Sequence, residues 1–173
     1  LADDRVVRYA CCRHLHRLAM QNVIETDWSE VYKASRYAFP SKGSWKVFAL
    51  DGVESPMNNL VSSVTLVSAW NPGSVEVPIE ENQASNLRLE ATLKESEVDF
   101  DAAWGASLPG VEPPWKEHGF SVRGLTRIEA AELGKEWGQQ AVVWLDAEST
   151  ELLFCSPLEV VSCGLRWFEE EMD

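Results

Sequence analysis

With 173 residues, 45% of them hydrophobic and 25% charged, the chain has the length of one domain and the composition of an ordinary globular protein. A domain of this size buries about 70% of its unfolded surface, so it needs no disulfide framework to fold. The net charge of −13 excludes nucleic acid from the main body, because binding a phosphate backbone depends on Lys and Arg replacing counterions.

The first predicted element is a helix from Val6 to Ile24, with Val7, Cys11, Leu15 and Leu18 on one face and Arg13 and Arg17 a turn apart. It is the basic part of the chain. Residues 1–46 carry 8 Lys+Arg and 5 Asp+Glu, a net +3, while residues 47–173 carry 7 and 23, a net −16. Arg13 and Arg17 are therefore the candidate partner-binding residues of a docking arm; packing of this helix on its own acidic body is the favoured alternative. Cys11, Cys12, His14 and His16 crowd the same helix, but only pairs such as Cys12 with His16 share a face, and tetrahedral zinc needs four ligands. No metal and no cofactor is expected. With no CxxC pair, the four cysteines read as free thiols of a reducing compartment.

Asp27-Trp28-Ser29-Glu30 reads as a cap opening a short helix to Lys33. Two strands, Arg36 to Phe39 and Trp45 to Leu50, follow across the turn Pro40-Ser41-Lys42-Gly43. Asp51-Gly52 opens a loop, and Leu60 to Trp70 is the valine-rich central strand, stopped by Asn71-Pro72-Gly73. Ile79 to Ser96 is a helix with Glu80 and Glu81 at its start. Asp101 to Glu117, broken by Gly105, Pro109-Gly110 and Pro113-Pro114, reads as a loop, and Phe120 to Arg123 as a short strand. Thr126 and Glu129 make a capping box for a helix ended by Gly138. Ala141 to Leu145 and Glu151 to Cys155 form a hairpin, and Glu169-Glu170-Glu171 belongs to an acidic tail. The order predicts an α+β fold, a mixed or mainly antiparallel sheet packed against helices, with an extra N-terminal helix. The expected divisions are a basic extension at 1–27, one domain at 28–157 and a tail at 158–173.

Polar clusters stand at the strand ends. If the strand ending at Trp70 runs antiparallel to those after Glu117 and Gln139, all three clusters share one edge of the sheet. Trp70, Asn71, Asn82, Trp115 and Gln139 are then the candidate ligand-binding residues, and Glu81 and Glu117 the candidate acid/base groups. Each also has an ordinary structural role open to it: turn former, helix-dipole partner, core aromatic or helix-end amide. His118 reads as a solvated histidine. No Gly-x-Ser-x-Gly elbow, phosphate loop, dinucleotide fingerprint or HExxH pair is present.

Ser68-Ala69-Trp70-Asn71-Pro72, Glu81-Asn82, Leu89, Leu93, Gly105, Trp115, Glu117, Gly119-Phe120 and Leu133-Gly134 with Gly138-Gln139-Gln140-Ala141 resemble the bacterial domain-of-unknown-function family 3293 over residues 28–155. His118, where a small residue is expected, and Ser68, where threonine is usual, depart from it. The resemblance implies a compact domain and carries no activity. Two functions stay open: a soluble, acidic interaction or scaffold module whose partner is another protein, and an enzyme acting on a small polar or nucleotide-like substrate. No membrane-length apolar run occurs and the start at Leu1 shows no secretory pattern, so a cytoplasmic location is expected; an organelle after removal of a targeting segment also stays open.

Overall fold

Short runs rich in β-branched and aromatic residues recur along the chain, and among the described residues they form nine strands. The computed structural model describes residues 27–54 and 60–169. The helix expected at Val6 to Ile24, with Arg13, Arg17 and the Cys11–His16 cluster, lies outside the described residues. The strands are β1 (Ser35–Ser41), β2 (Ser44–Glu54), β3 (Val64–Val67), β4 (Phe100–Ser107), β5 (Lys116–Arg123), β6 (Ala141–Leu145), β7 (Thr150–Cys155), β8 (Leu158–Cys163) and β9 (Leu165–Phe168). Three α-helices accompany them: α1 (Trp28–Lys33), α2 (Ile79–Glu95) and α3 (Arg127–Glu136). The sheet order is β8-β7-β6-β3-β5-β4-β1-β2-β9, and neighbouring strands are antiparallel throughout.

The edges of this sheet are one stretch of chain. Residues of β8 pair with β7 at one edge, and after Gly164 the next four residues pair with β2 at the other. Asp51 bridges to Gly164, and the Gly52 N–H donates to the Gly164 carbonyl at 3.2 Å. The sheet therefore curls until it nearly closes on itself. Side chains are impossible at this crossing, since a Cβ on Gly52 would sit 1.8 Å from the Leu165 oxygen and one on Gly164 2.1 Å from the Gly52 oxygen.

Curling gives the sheet an inside and an outside. Tyr37, Phe39, Phe48, Leu50, Leu66, Val143 and Leu152 point inward and bury one another. Val67, Phe120, Val122, Val142 and Leu153 point outward and are covered by Leu89 and Leu93 of α2 and Ala130 of α3. The capping box at Thr126 and Glu129 is formed and fixes the start of α3. Cys155 and Cys163 are free thiols, and burial pushes the Cys155 thiol up to about 11. No helix among the described residues is long and apolar enough to cross a membrane.

The expected α+β class is corrected: the chain is mostly β, and its larger core is made by the sheet closing over itself. Three stretches carry the difference. Residues 101–117, read as loop, hold most of β4 and the start of β5, because the Pro and Gly breakers cluster between them at 108–115 and Gly105 sits inside a strand. Asp51-Gly52, read as loop, continues β2 to Glu54. Residues 158–168, assigned with the acidic tail, form β8 and β9. Gly52→Ala and Gly164→Ala are each expected to cost about 1–3 kcal/mol, as overpacking does; urea denaturation midpoints measure this, and unchanged midpoints would show that closure tolerates a side chain there.

Candidate functional site

Because β3 runs antiparallel to both β5 and β6, its carboxyl end meets their amino ends at one rim. There the chain leaves β3 through Ser68 and Trp70 and turns at Asn71, whose backbone is left-handed (φ 46°, ψ 59°). Asparagine tolerates this region better than most residues. Asn82, in the first turn of α2 and only 3% exposed, grips the turn. Its Oδ1 accepts from the Asn71 backbone N–H at 2.7 Å, and its Nδ2 donates to the Asn71 side-chain oxygen at 2.9 Å. The same Asn71 oxygen accepts from the Val77 N–H at 3.3 Å. What remains is the Asn71 Nδ2, which donates to Glu117 Oε1 at 2.8 Å.

Gln139 holds the opposite side of the turn. Its Nε2 donates to the Trp70 carbonyl at 3.0 Å, and its Oε1 accepts from the Ser68 hydroxyl at 3.4 Å. The Gly73 N–H donates to the Gly138 carbonyl at 2.6 Å. Gly138 has φ 70° and lies so near Pro72 that a Cβ would be 2.7 Å from the proline ring, so two distinct constraints select glycine there. The three segments are thereby fastened into one rim.

Glu117 reaches the inside of the sheet through its register. Tyr37, Gly105 and Glu117 are cross-strand partners on β1, β4 and β5 and share the inward face. Gly105 lies against the Tyr37 and Trp115 rings, which a Cβ there would meet at 3.7 and 3.9 Å. Glu117 is half-buried as a residue, yet its carboxyl is largely withdrawn from water. Burial pushes that carboxyl above the usual carboxylate range, and the Asn71 hydrogen bond opposes the push. Tyr32 of α1 stands in the same wall; burial raises its phenol above the usual tyrosine range, and the nearby Glu117 charge adds to the rise. Tyr37 donates its hydroxyl proton to the Tyr32 carbonyl at 2.8 Å.

These groups line an open cleft of about 2030 Å3, larger than the roughly 300–1,000 Å3 of typical small-molecule pockets. Its charged lining is Glu30, Glu76, Glu80, Glu90, Glu112 and Glu117 against Arg36 and Lys116. Among the described residues, no group of three or more His, Cys, Asp or Glu could hold a metal ion.

Asn71, Glu117 and Gln139 meet at the rim, and Trp70 and Trp115 line the cleft beside them. Asn82 and Gln139 have their amide atoms engaged by protein, so their role in the structure is to brace the turn. Glu81 is exposed and does not line the cleft, which the neighbouring Glu80 and Asn82 do. The Trp70 ring instead leans towards His118, with centroids 6.1 Å apart. Sequence reasoning missed Tyr32 and Tyr37. Tyr37 alternates with Arg36 and Ala38 along β1, but only the pairing of β1 with β4 reveals which carboxyl it faces.

Asn82→Ala would strand the buried Asn71 N–H, and a loss of about 1–3 kcal/mol in unfolding free energy is expected from denaturant titration. Glu117 has a folded pKa above its unfolded one, so its contribution to stability is complete below its ordinary value of 4.5 and vanishes as pH climbs through the raised value. Glu117→Gln has no proton to lose there. Its melting temperature is expected to rise relative to the natural chain between pH 4.5 and neutrality; parallel profiles would show that the carboxyl is not withdrawn from water.

No curated protein and no solved structure matches the chain. A family match covers residues 67–142, a narrower span than 28–155 that leaves α1, β1, β2 and β7 to β9 outside it. That family is described as a protein of unknown function (DUF3293), and the chain resembles it across Asn71, Asn82, Glu117 and Gln139 together.

Proposed function

We propose that the chain is an enzyme acting on a small, polar, uncharged or cationic substrate, with Glu117 as its general acid/base. The observation that carries this reading is a carboxyl held through one oxygen by Asn71 at the wall of a cleft, while no described residue donates a hydrogen bond to its other oxygen. Withdrawal from water raises its affinity for a proton towards the pH at which it would work, and a positioned group of that kind can take a proton and return it. The Asn71 amide orients the carboxyl, Asn82 and the Val77 N–H hold the Asn71 side chain, and Gln139 holds Ser68 and Trp70 before it. Tyr32, Tyr37 and Trp115 supply an aromatic wall against which an apolar part of the substrate can lie.

Charge narrows the substrate. Six glutamates and two cations line the cleft, so a nucleotide's phosphates would meet net repulsion while an amine or amide would not. The interaction-module alternative rests on the segregation of charge between the N-terminal part and the acidic body and on the missing catalytic signatures; its candidate partner-binding residues Arg13 and Arg17 lie outside the described residues.

Screening small amines, amides and polyols by ligand-observed NMR tests the reading. Compounds that bind the natural chain are expected to lose about tenfold or more in affinity for Glu117→Gln, the scale of a hydrogen bond to a charged group, with no fall in melting temperature. Turnover of a bound compound should vanish in the same variant. Equal affinity and turnover in the two proteins would reject Glu117 as the working group.

A further inference from the structure

The strand registers draw a second pattern on the outside of the sheet. Arg166, Ala49, Arg36, Ala106 and Lys116 are successive cross-strand partners on β9, β2, β1, β4 and β5, so three cations alternate with two alanines in a single row. One row further from the rim run Phe168, Val47, Ala38, Trp104 and His118, again partner to partner. The cations lean onto these aromatics. The Arg166 guanidinium lies 4.8 Å from the Phe168 ring centroid, and the Arg36 guanidinium and Lys116 ammonium lie 5.5 and 4.6 Å from that of Trp104.

Arg166 is neutralised by Asp51, which receives two hydrogen bonds from it at 2.9 and 2.7 Å. Among the described residues Arg36 and Lys116 have no such partner. Neither forms an ion pair with a described acidic residue, although the chain has 28 Asp and Glu to offer. Arg36 Nε is moreover buried without a hydrogen-bond partner. Two like charges gathered on one indole, with no counter-charge among the described residues, leave a repulsion that an anion would relieve. Arg36, Trp104 and Lys116 line the outer wall of the open cleft; on the α2 side stand Gln83, Asn86, Leu87 and Glu90, the last already paired with Lys94 at 2.7 Å.

We propose that Arg36 and Lys116, with Trp104 as the floor, form a binding site for the carboxylate of a small molecule. Alternate strands of a sheet lie roughly 9–10 Å apart, so side chains from Arg36 and Lys116 can converge on one carboxylate from opposite flanks. The guanidinium offers its planar pair of N–H donors and the ammonium a point charge. A carboxylate suits the site better than a polyphosphate, because residues 47–173 carry a net −16 that penalises each added negative charge. This site goes beyond the Glu117 reading and is separable from it, since Lys116 and Glu117 project from opposite faces of β5.

The test follows the Trp104 indole N–H signal by NMR, assigned through Trp104→Phe, while acetate, benzoate or inorganic phosphate is added at ionic strength held constant with sodium chloride. A saturable shift with the carboxylates is expected, unchanged in Glu117→Gln. Arg36→Gln and Lys116→Gln should each weaken it by about tenfold, the scale of one charge-assisted hydrogen bond. Lys116 is exposed, so its variant keeps the test valid if Arg36→Gln does not fold. A shift no larger than that from chloride alone, tighter binding of phosphate than of carboxylate, or an undiminished response in Lys116→Gln would each overturn the proposal.

Discussion

At Gly164 a single run of chain stops pairing with β7 and begins pairing with β2, and the rest of the architecture depends on that transfer. It requires two backbones to touch, which only glycine at 52 and 164 permits. Once the sheet is curled, each strand has a wet or helix-covered outside and an enclosed inside. The alternation of the pleat then sorts adjacent residues into different environments. Lys116 and Glu117 are neighbours in sequence, yet one rests on an indole at the surface while the other has its carboxyl withdrawn from water.

The rim divides its labour between amides and carboxyl. Asn71 and Asn82 bond to each other and to backbone groups, Gln139 bonds to the Trp70 carbonyl and the Ser68 hydroxyl, and together they hold a left-handed turn in place after β3. Buried amides left unpaired would each be costly, so this saturated arrangement is stiff. Stiffness matters because a carboxyl with one oxygen engaged has a defined direction, and the proton-transfer chemistry suggested for Glu117 depends on direction as much as on pKa. The Trp70 indole N–H, by contrast, is buried at the rim without a partner.

Much of the rim was legible because turn chemistry is local. Asn71-Pro72-Gly73 announces a strand end, Gly138 a helix end, and the antiparallel condition that unites them follows once β3 lies between β5 and β6. The helices α2 and α3 were legible through their periodicity and the Thr126 cap. The fold class was not. Gly105 and Gly52 look like breakers in one dimension, whereas in three they are strand residues, and at Gly52 the missing side chain admits β9. Residues 158–168 hold only one acid, Glu159, and one base, Arg166, but were grouped with the acidic run that follows them; the edge they complete shows them to be strands. Tyr32 was hidden for another reason: its proximity to Glu117 crosses 85 positions of sequence and follows from packing rather than from any motif.

The span that resembles the known family and the walls of the cleft are not the same part of the molecule. Residues 67–142 contain every amide of the brace and the acid itself, but Tyr32 and Tyr37 enter from α1 and β1, upstream of that span. A fragment cut to those limits would keep the brace and lose the aromatic side chains that α1 and β1 bring to the cleft. Part of the wall around the Glu117 carboxyl thus comes from flanking elements, so two chains with the same brace can surround that carboxyl differently.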